Sequence, residues 1–223
     1  MKNFSKIISI FLVLIISVST SAFAAPDTQY ADTLYELGLF KGTDKGYELE
    51  KTLTREESAT ILVRLLGEEK NIKSNNYSEV FTDVEKDRWS FPYVMYCFEN
   101  EITKGTGQDT FSPEQPISAD QFVTLVLRLL GYTDAEPKTA LVQAITYNLL
   151  NSEVVRSLEG AEKFTRENMV YIVYRSLQTP MSDGIILAQY LADKNVLTQS
   201  QANKFDIYNN SEDIDELLDS LLN

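Results

Sequence analysis

Two arginines sit where a side chain could hold an anion. Arg55 follows Thr54 in Leu53-Thr54-Arg55-Glu56-Glu57, and Arg166 follows Thr165 in Phe164-Thr165-Arg166-Glu167. A guanidinium offers a planar fork of N–H donors that fits a carboxylate or phosphate. The first-turn N–H groups of a helix carry partial positive charge, so an arginine there makes a small anion-binding corner. The opposing consideration is the helix dipole, which disfavours a cation at this end by about 0.3–1 kcal/mol. The alternative for both residues is an exposed or locally ion-paired arginine. Trp89 could stack on a sugar face through its indole or pack between helices, and the two readings are equally open. Asp83 reads as a loop tie to backbone N–H groups.

Catalytic signals are sparse. The chain has no histidine and a single cysteine, Cys97, set in an apolar run where a buried inert thiol is expected. There is no Gly-rich phosphate loop and no metal-ligand spacing. Carboxylates are abundant, so composition alone leaves a glycosidase pair open. Most of them fall on expected solvated helix faces, and the chain reads as a non-enzyme without metal or cofactor.

The elements that would carry the arginines repeat. Residues 52–67, TLTREESATILVRLLG, return as PISADQFVTLVLRLLG at 116–131 and, more weakly, as KFTRENMVYIVYRSLQ at 163–178. Thr54 with Glu57 and Ser118 with Gln121 have capping-box spacing, and Thr165 opens the third copy. Apolar residues then recur at helical spacing, with Phe122, Val126, Leu129 and Leu130 on one face. Gly67 and Gly131 mark the stops, and Arg64, Arg128 and Arg175 recur near the ends.

Each copy has a lead helix before it. Residues 31–43, a helix ended by Gly38 and a short apolar tag, correspond to 94–106, both closing on Lys-Gly-Thr, and the second lead helix should begin within residues 87–90 because Pro92 fits only a first turn. Short ordered loops follow, with Tyr47 and Phe111 as matched aromatics and Gly105 at the exit. The third lead helix is expected over 139–150, with a partly helical connection around 153–158. Residues 181–198 suggest an incomplete fourth copy. The stretch 211–223 carries Ile214, Leu217, Leu218, Leu221 and Leu222 at helical spacing behind Ser211, which suits a helix capping the stack.

Residues 1–24 read as a secretory signal peptide: Lys2 and Lys6, an apolar run, then Ala22-Phe23-Ala24. Removing them takes the net charge from −13 to −15, which disfavours nucleic acid and anionic membranes as partners. No membrane span is expected in the mature chain, which is long enough to build an ordered core.

The set Phe81-x-Asp83-Val84, Trp89, Ile102, Gly105, Phe111-x-Pro113, Ile117 and the capped helix after it resembles the S-layer homology domain in order and spacing. The Thr-Arg-Glu openings at 54–56 and 165–167 resemble that family's second-helix motif. The resemblance implies an all-α fold of three helix-loop-helix repeats around a pseudo-threefold axis. The expected division is a first repeat at 25–70, a second and best-matched repeat at 79–131, a degenerate third at 132–180, and a C-terminal helical segment at 181–223. It further implies a secreted cell-wall or cell-surface protein that binds an anionic, often pyruvylated, secondary cell-wall polysaccharide. Arg55 and Arg166 are then the ligand contacts, with Trp89 a candidate for sugar stacking. The second copy has Ala119 in place of the motif arginine. The competing expectation is an envelope scaffold that has lost glycan binding and contacts another envelope protein. With no segment long enough for a cargo domain, either the anchor is the whole protein or its payload is a partner.

Overall fold

The computed structural model describes residues 28–72 and 76–206. The signal-peptide stretch and the 211–223 segment lie outside them. Among the described residues the chain is helical, with isolated antiparallel β-bridges and no strand. The helices are α1 Gln29–Glu36, α2 Arg55–Leu65, α3 Phe91–Glu99, α4 Ala119–Leu129, α5 Pro137–Thr146, α6 Ser152–Gly160, α7 Arg166–Ser176, α8 Leu187–Asp193 and α9 Gln199–Ala202.

The helix starts follow side-chain chemistry. Thr54 Oγ1 accepts from the Glu57 N–H at 3.3 Å while Glu57 Oε2 accepts from the Thr54 N–H at 2.8 Å. Thr165 and Asn168 make the same reciprocal pair at the start of α7. At α4, Gln121 reaches back to the Ser118 N–H at 3.4 Å, and the serine hydroxyl turns to Asp120. Such caps satisfy N–H groups that a helix cannot bond internally.

The lead helices end alike. After α1, the Leu39 and Phe40 N–H groups both donate to Leu34 O, at 2.9 and 3.1 Å. Ile102 and Thr103 do so onto Cys97 O, Leu149 and Leu150 onto Ala144 O, and Val196 and Leu197 onto Leu191 O. In each case one residue enters the left-handed region: Gly38, Glu101, Asn148 and Asn195. The shared device is an orphan carbonyl capped by two following N–H groups. It also ends α8, after which Thr198 caps α9 with Gln201 and no long loop intervenes.

Some boundaries differ from expectation. α3 starts at Phe91, with Ser90 as its N-cap, just past the expected window, whereas α1 stops at Glu36 as expected from Gly38, where the chain turns left-handed. α5 starts earlier than expected, at Pro137, a favoured first-turn position, and ends at Thr146 before Asn148 breaks the helical dihedrals. The connection before α7 holds a full helix, α6, capped by Asn151.

Packing links each second helix to the next lead helix: α2 lies on α3, α4 on α5, and α7 returns to α1. α4 also touches α2 and α7. The core between them is aromatic and aliphatic. Phe81 meets Phe98 edge-on at 5.3 Å, and Phe122 meets Phe164 at 5.2 Å across α4 and the segment leading into α7. Burying one such ring fully contributes about 1.5–3 kcal/mol. No helix of the described residues is long and apolar enough to cross a membrane.

Candidate functional site

Arg55 opens α2 but is held by the loop that follows α3. Its Nε donates to Phe111 O at 2.7 Å, and its guanidinium carbon lies 4.8 Å from the Phe111 ring centroid. The residue is 4% exposed, so it is not a surface arginine. Burial pushes its pKa down while the Asp83 carboxylate opposes that, and a guanidinium stays protonated regardless.

The backbone corner expected beside Arg55 is closed by protein. The Arg55 N–H donates to Gln115 O and the Glu56 N–H to Pro113 O, both at 3.0 Å, while Ile117 N–H donates back to Leu53 O at 2.9 Å. α7 is seated in the same way, with Arg166 N–H on Lys51 O and Glu167 N–H on Leu49 O, both at 2.9 Å. An anion at this site must therefore be held by side chains.

Such side chains converge on one cleft. A cavity of about 250 Å³ is lined by Arg55, Lys104, Gly105, Gln121, Thr124, Arg128 and Glu136, among others. Lys104 Nζ lies 2.6 Å and Arg128 Nη2 3.1 Å from the same Glu136 Oε1. Arg128 is steered by its Nε bond to Ala135 O at 2.9 Å. Three cations face one carboxylate, so this patch is cationic on a strongly acidic chain. The Lys104 hydrogen bond holds the Glu136 carboxyl below its usual range, against burial and helped by Arg128. Gly105 sits in the wall at φ +83°, and a Cβ there would come within 2.5 Å of Thr110 O.

Matching positions in the first copy hold the same groups. Lys41 Nζ and Arg64 Nη2 each lie 2.8 Å from the Glu69 carboxylate. Arg166 Nε donates to Tyr47 O at 2.9 Å, as Arg55 does to Phe111 O, and its guanidinium stands over Phe40 at 5.4 Å. Glu57 takes the place of Gln121 and comes within 4.0 Å of Arg166 Nη1. That extra carboxylate makes this copy less suited to an anion.

The third copy differs. Ala119 provides no guanidinium, and Arg175 turns to Gln178 Oε1 at 3.0 Å and to the Leu149 carbonyl at 3.4 Å. The lysine position is Asn151, whose side chain caps α6 by accepting from the Val154 N–H at 2.9 Å.

Trp89 is not brought to the Arg55 cleft. It is 55% exposed, which excludes core packing. It lines a separate depression with Glu56, Asp83, Glu85, Asp87, Arg88 and Glu114. There Arg88 forks onto Glu56 at 2.8 and 3.0 Å and reaches Glu114 at 2.9 Å. Asp83 accepts from the Phe111 and Ser112 N–H groups at 2.8 and 2.7 Å, fixing the loop that carries the Arg55 seat. Lys104 and Arg128 were not among the residues singled out for binding. Their signal in the sequence was the recurrence of Lys-Gly-Thr and of a basic residue near each second-helix end.

The S-layer homology domain profile matches residues 80–122 of this chain. A surface layer protein of Brevibacillus choshinensis is 34% identical over 53% of this chain and 12% of its own length. A cell surface protein of Thermoanaerobacter kivui is 26% identical over 92% of this chain and 28% of its own length. A cellulosome-anchoring protein of Acetivibrio thermocellus is 25% identical over 72% of this chain and 43% of its own length. The chain thus spans less than half the length of these relatives. The matches place it among secreted proteins of the cell wall and cell surface.

Proposed function

We propose that this chain attaches non-covalently to the cell wall by holding an anionic secondary wall polysaccharide, such as a pyruvylated one, in the cleft of Arg55, Lys104 and Arg128. The observation that carries the reading is the convergence of these three cations, from two repeats, on one cavity with a single resident carboxylate. A carboxylated sugar fits there, because guanidinium and ammonium donors bond carboxylate oxygens more strongly than neutral ones. Arg166 with Lys41 and Arg64 is a second, weaker site, and the Ala119 copy does not bind.

In this reading residues 25–70, 79–131 and 132–180 are three repeats around a pseudo-threefold axis, and the segment from 181 starts a fourth. The order of helix pairing, with α7 returning to α1, supports that arrangement. The role is one of attachment and not of catalysis. Trp89 lies in an acidic surround that repels an anionic chain, so it takes no part in the principal contact.

The test is co-sedimentation with sacculi that retain their secondary polymer, against sacculi stripped of it. Retention only by the former, weakening with salt, is the expected result. Equal retention by both would move the assignment to an envelope scaffold that contacts another protein.

A further inference from the structure

The two cationic clefts share a feature that their sequence alignment does not supply. A carboxylate stands between the same lysine and arginine in both, yet it arrives by different routes. Glu69 comes from the short 3-10 turn Glu68–Lys70 just after Gly67, with Arg64 and Lys41 on its oxygens. Glu136 comes from the N-cap position of α5, beyond a longer turn after Gly131, with Lys104 and Arg128 on one oxygen. Where the lysine is missing, at Asn151, the arginine Arg175 meets a neutral amide instead.

We propose that Glu136 and Glu69 are resident counter-ions that occupy the anion position of the clefts and must be displaced by the ligand's own carboxylate. This deepens the wall-attachment reading and rests on it. The device keeps buried and half-buried cations satisfied when no ligand is present, since Arg128 is 5% exposed at its side chain and an unpaired buried charge is costly. It also makes binding an exchange of one carboxylate for another, so neutral sugars gain nothing and weakly anionic ones are rejected. Glu136 is the more readily displaced of the two. Its side chain is 53% exposed and can swing to solvent, whereas that of Glu69 is 24% exposed and is also approached by Tyr93 OH at 3.4 Å.

A competitor and a positioning residue make opposite predictions. If Glu136 competes, Glu136→Gln strengthens binding; if it only orients Lys104 and Arg128, the same change weakens it. The measurement is calorimetric titration of the full chain in two arms, with secondary polymer released from sacculi and with inorganic sulfate. Glu136→Gln should tighten both by roughly three- to tenfold, the scale of removing a partly exposed ion pair. Glu114→Gln, which removes the same charge at an exposed residue outside the cleft lining, should leave both unchanged. Glu136→Ser, which keeps a favoured N-cap residue on α5, guards against a folding artefact and should behave as Glu136→Gln does. Unchanged or weaker sulfate binding in both Glu136 variants, or equal tightening in Glu114→Gln, would overturn the proposal. Failure of the polymer arm alone, with sulfate binding tightened, would remove the polysaccharide reading and leave the counter-ion intact.

Discussion

Arg55 Nε donates to the Phe111 carbonyl at 2.7 Å while its guanidinium lies over the Phe111 ring, 4.8 Å from the centroid. One side chain at the start of α2 is thereby clamped by both the backbone and the ring of one residue in the loop after α3. The arginine is therefore structural, and under the wall-attachment proposal it is also a ligand contact, so its replacement should show both effects.

Arg55→Ala is expected to destabilise the protein by roughly 1.5–3 kcal/mol, the range for a hydrogen bond to a charged group. Arg55→Lys should recover only part of this, since an ammonium on a flexible stem cannot reproduce the Nε geometry. Urea unfolding midpoints test the claim. A midpoint unchanged in Arg55→Ala would show that the clamp contributes nothing.

Gly105 is the position in the cleft wall where a side chain should be least tolerated. Its φ of +83° and the approach of Thr110 O and Phe81 Cε1, at 2.5 and 2.6 Å from a built Cβ, leave no room. Gly105→Ala should cost more than about 1 kcal/mol, whereas Gly160→Ala, with nothing within 4 Å of its Cβ, should be tolerated. Thermal unfolding of the two variants side by side makes the comparison.

Glu69 should contribute a pH-dependent part of the stability. The Arg64 hydrogen bond holds its carboxyl at about 2, against burial and helped by Lys41, from an ordinary value of 4.5. A folded-state pKa below the unfolded one means the contribution is complete above about 4.5 and is lost as pH falls through about 2. The stability gap between wild type and Glu69→Gln should therefore narrow from pH 6 to pH 2. A gap that holds constant over that range would exclude the ion pair as its source.

Much of the frame was legible because it is local chemistry. Thr54 with Glu57, and Pro92 at the start of α3, mark helix starts through interactions within a few residues, and the repeated apolar spacing marks the buried faces. The state of the arginines was not legible. Whether Arg55 is exposed or buried depends on a loop from the next repeat docking onto α2, and that contact spans residues 55 and 111. The same docking consumes the first-turn N–H groups, so a corner that looks open in a single helix is closed in the assembled fold. Glu136 was invisible for a related reason, because its counterpart Glu69 lies at a different place in the repeat and only the folded chain superposes their roles. Trp89 illustrates the limit from the other side: an indole at a helix entrance suits packing or stacking equally, and only the neighbouring carboxylates decide what it faces.

Cys97 should be inert in the folded protein. It is buried, burial pushes its thiol pKa well up, and its Sγ lies 3.7 Å from the Ala59 carbonyl. A thiol reagent such as dithiobis-nitrobenzoate should react only in denaturant. Rapid labelling under native conditions would contradict the packing of α3 on α2.

The claim that a side-chain cleft between repeats holds the wall polymer is tested most directly at Lys104. This lysine side chain is 57% exposed and pairs with an exposed carboxylate, so its removal should scarcely alter stability. Lys104→Ala should therefore keep the wild-type melting temperature while losing about tenfold in affinity for released secondary polymer, the effect of one charge-assisted contact. Undiminished affinity in Lys104→Ala, with the fold intact, would contradict the account.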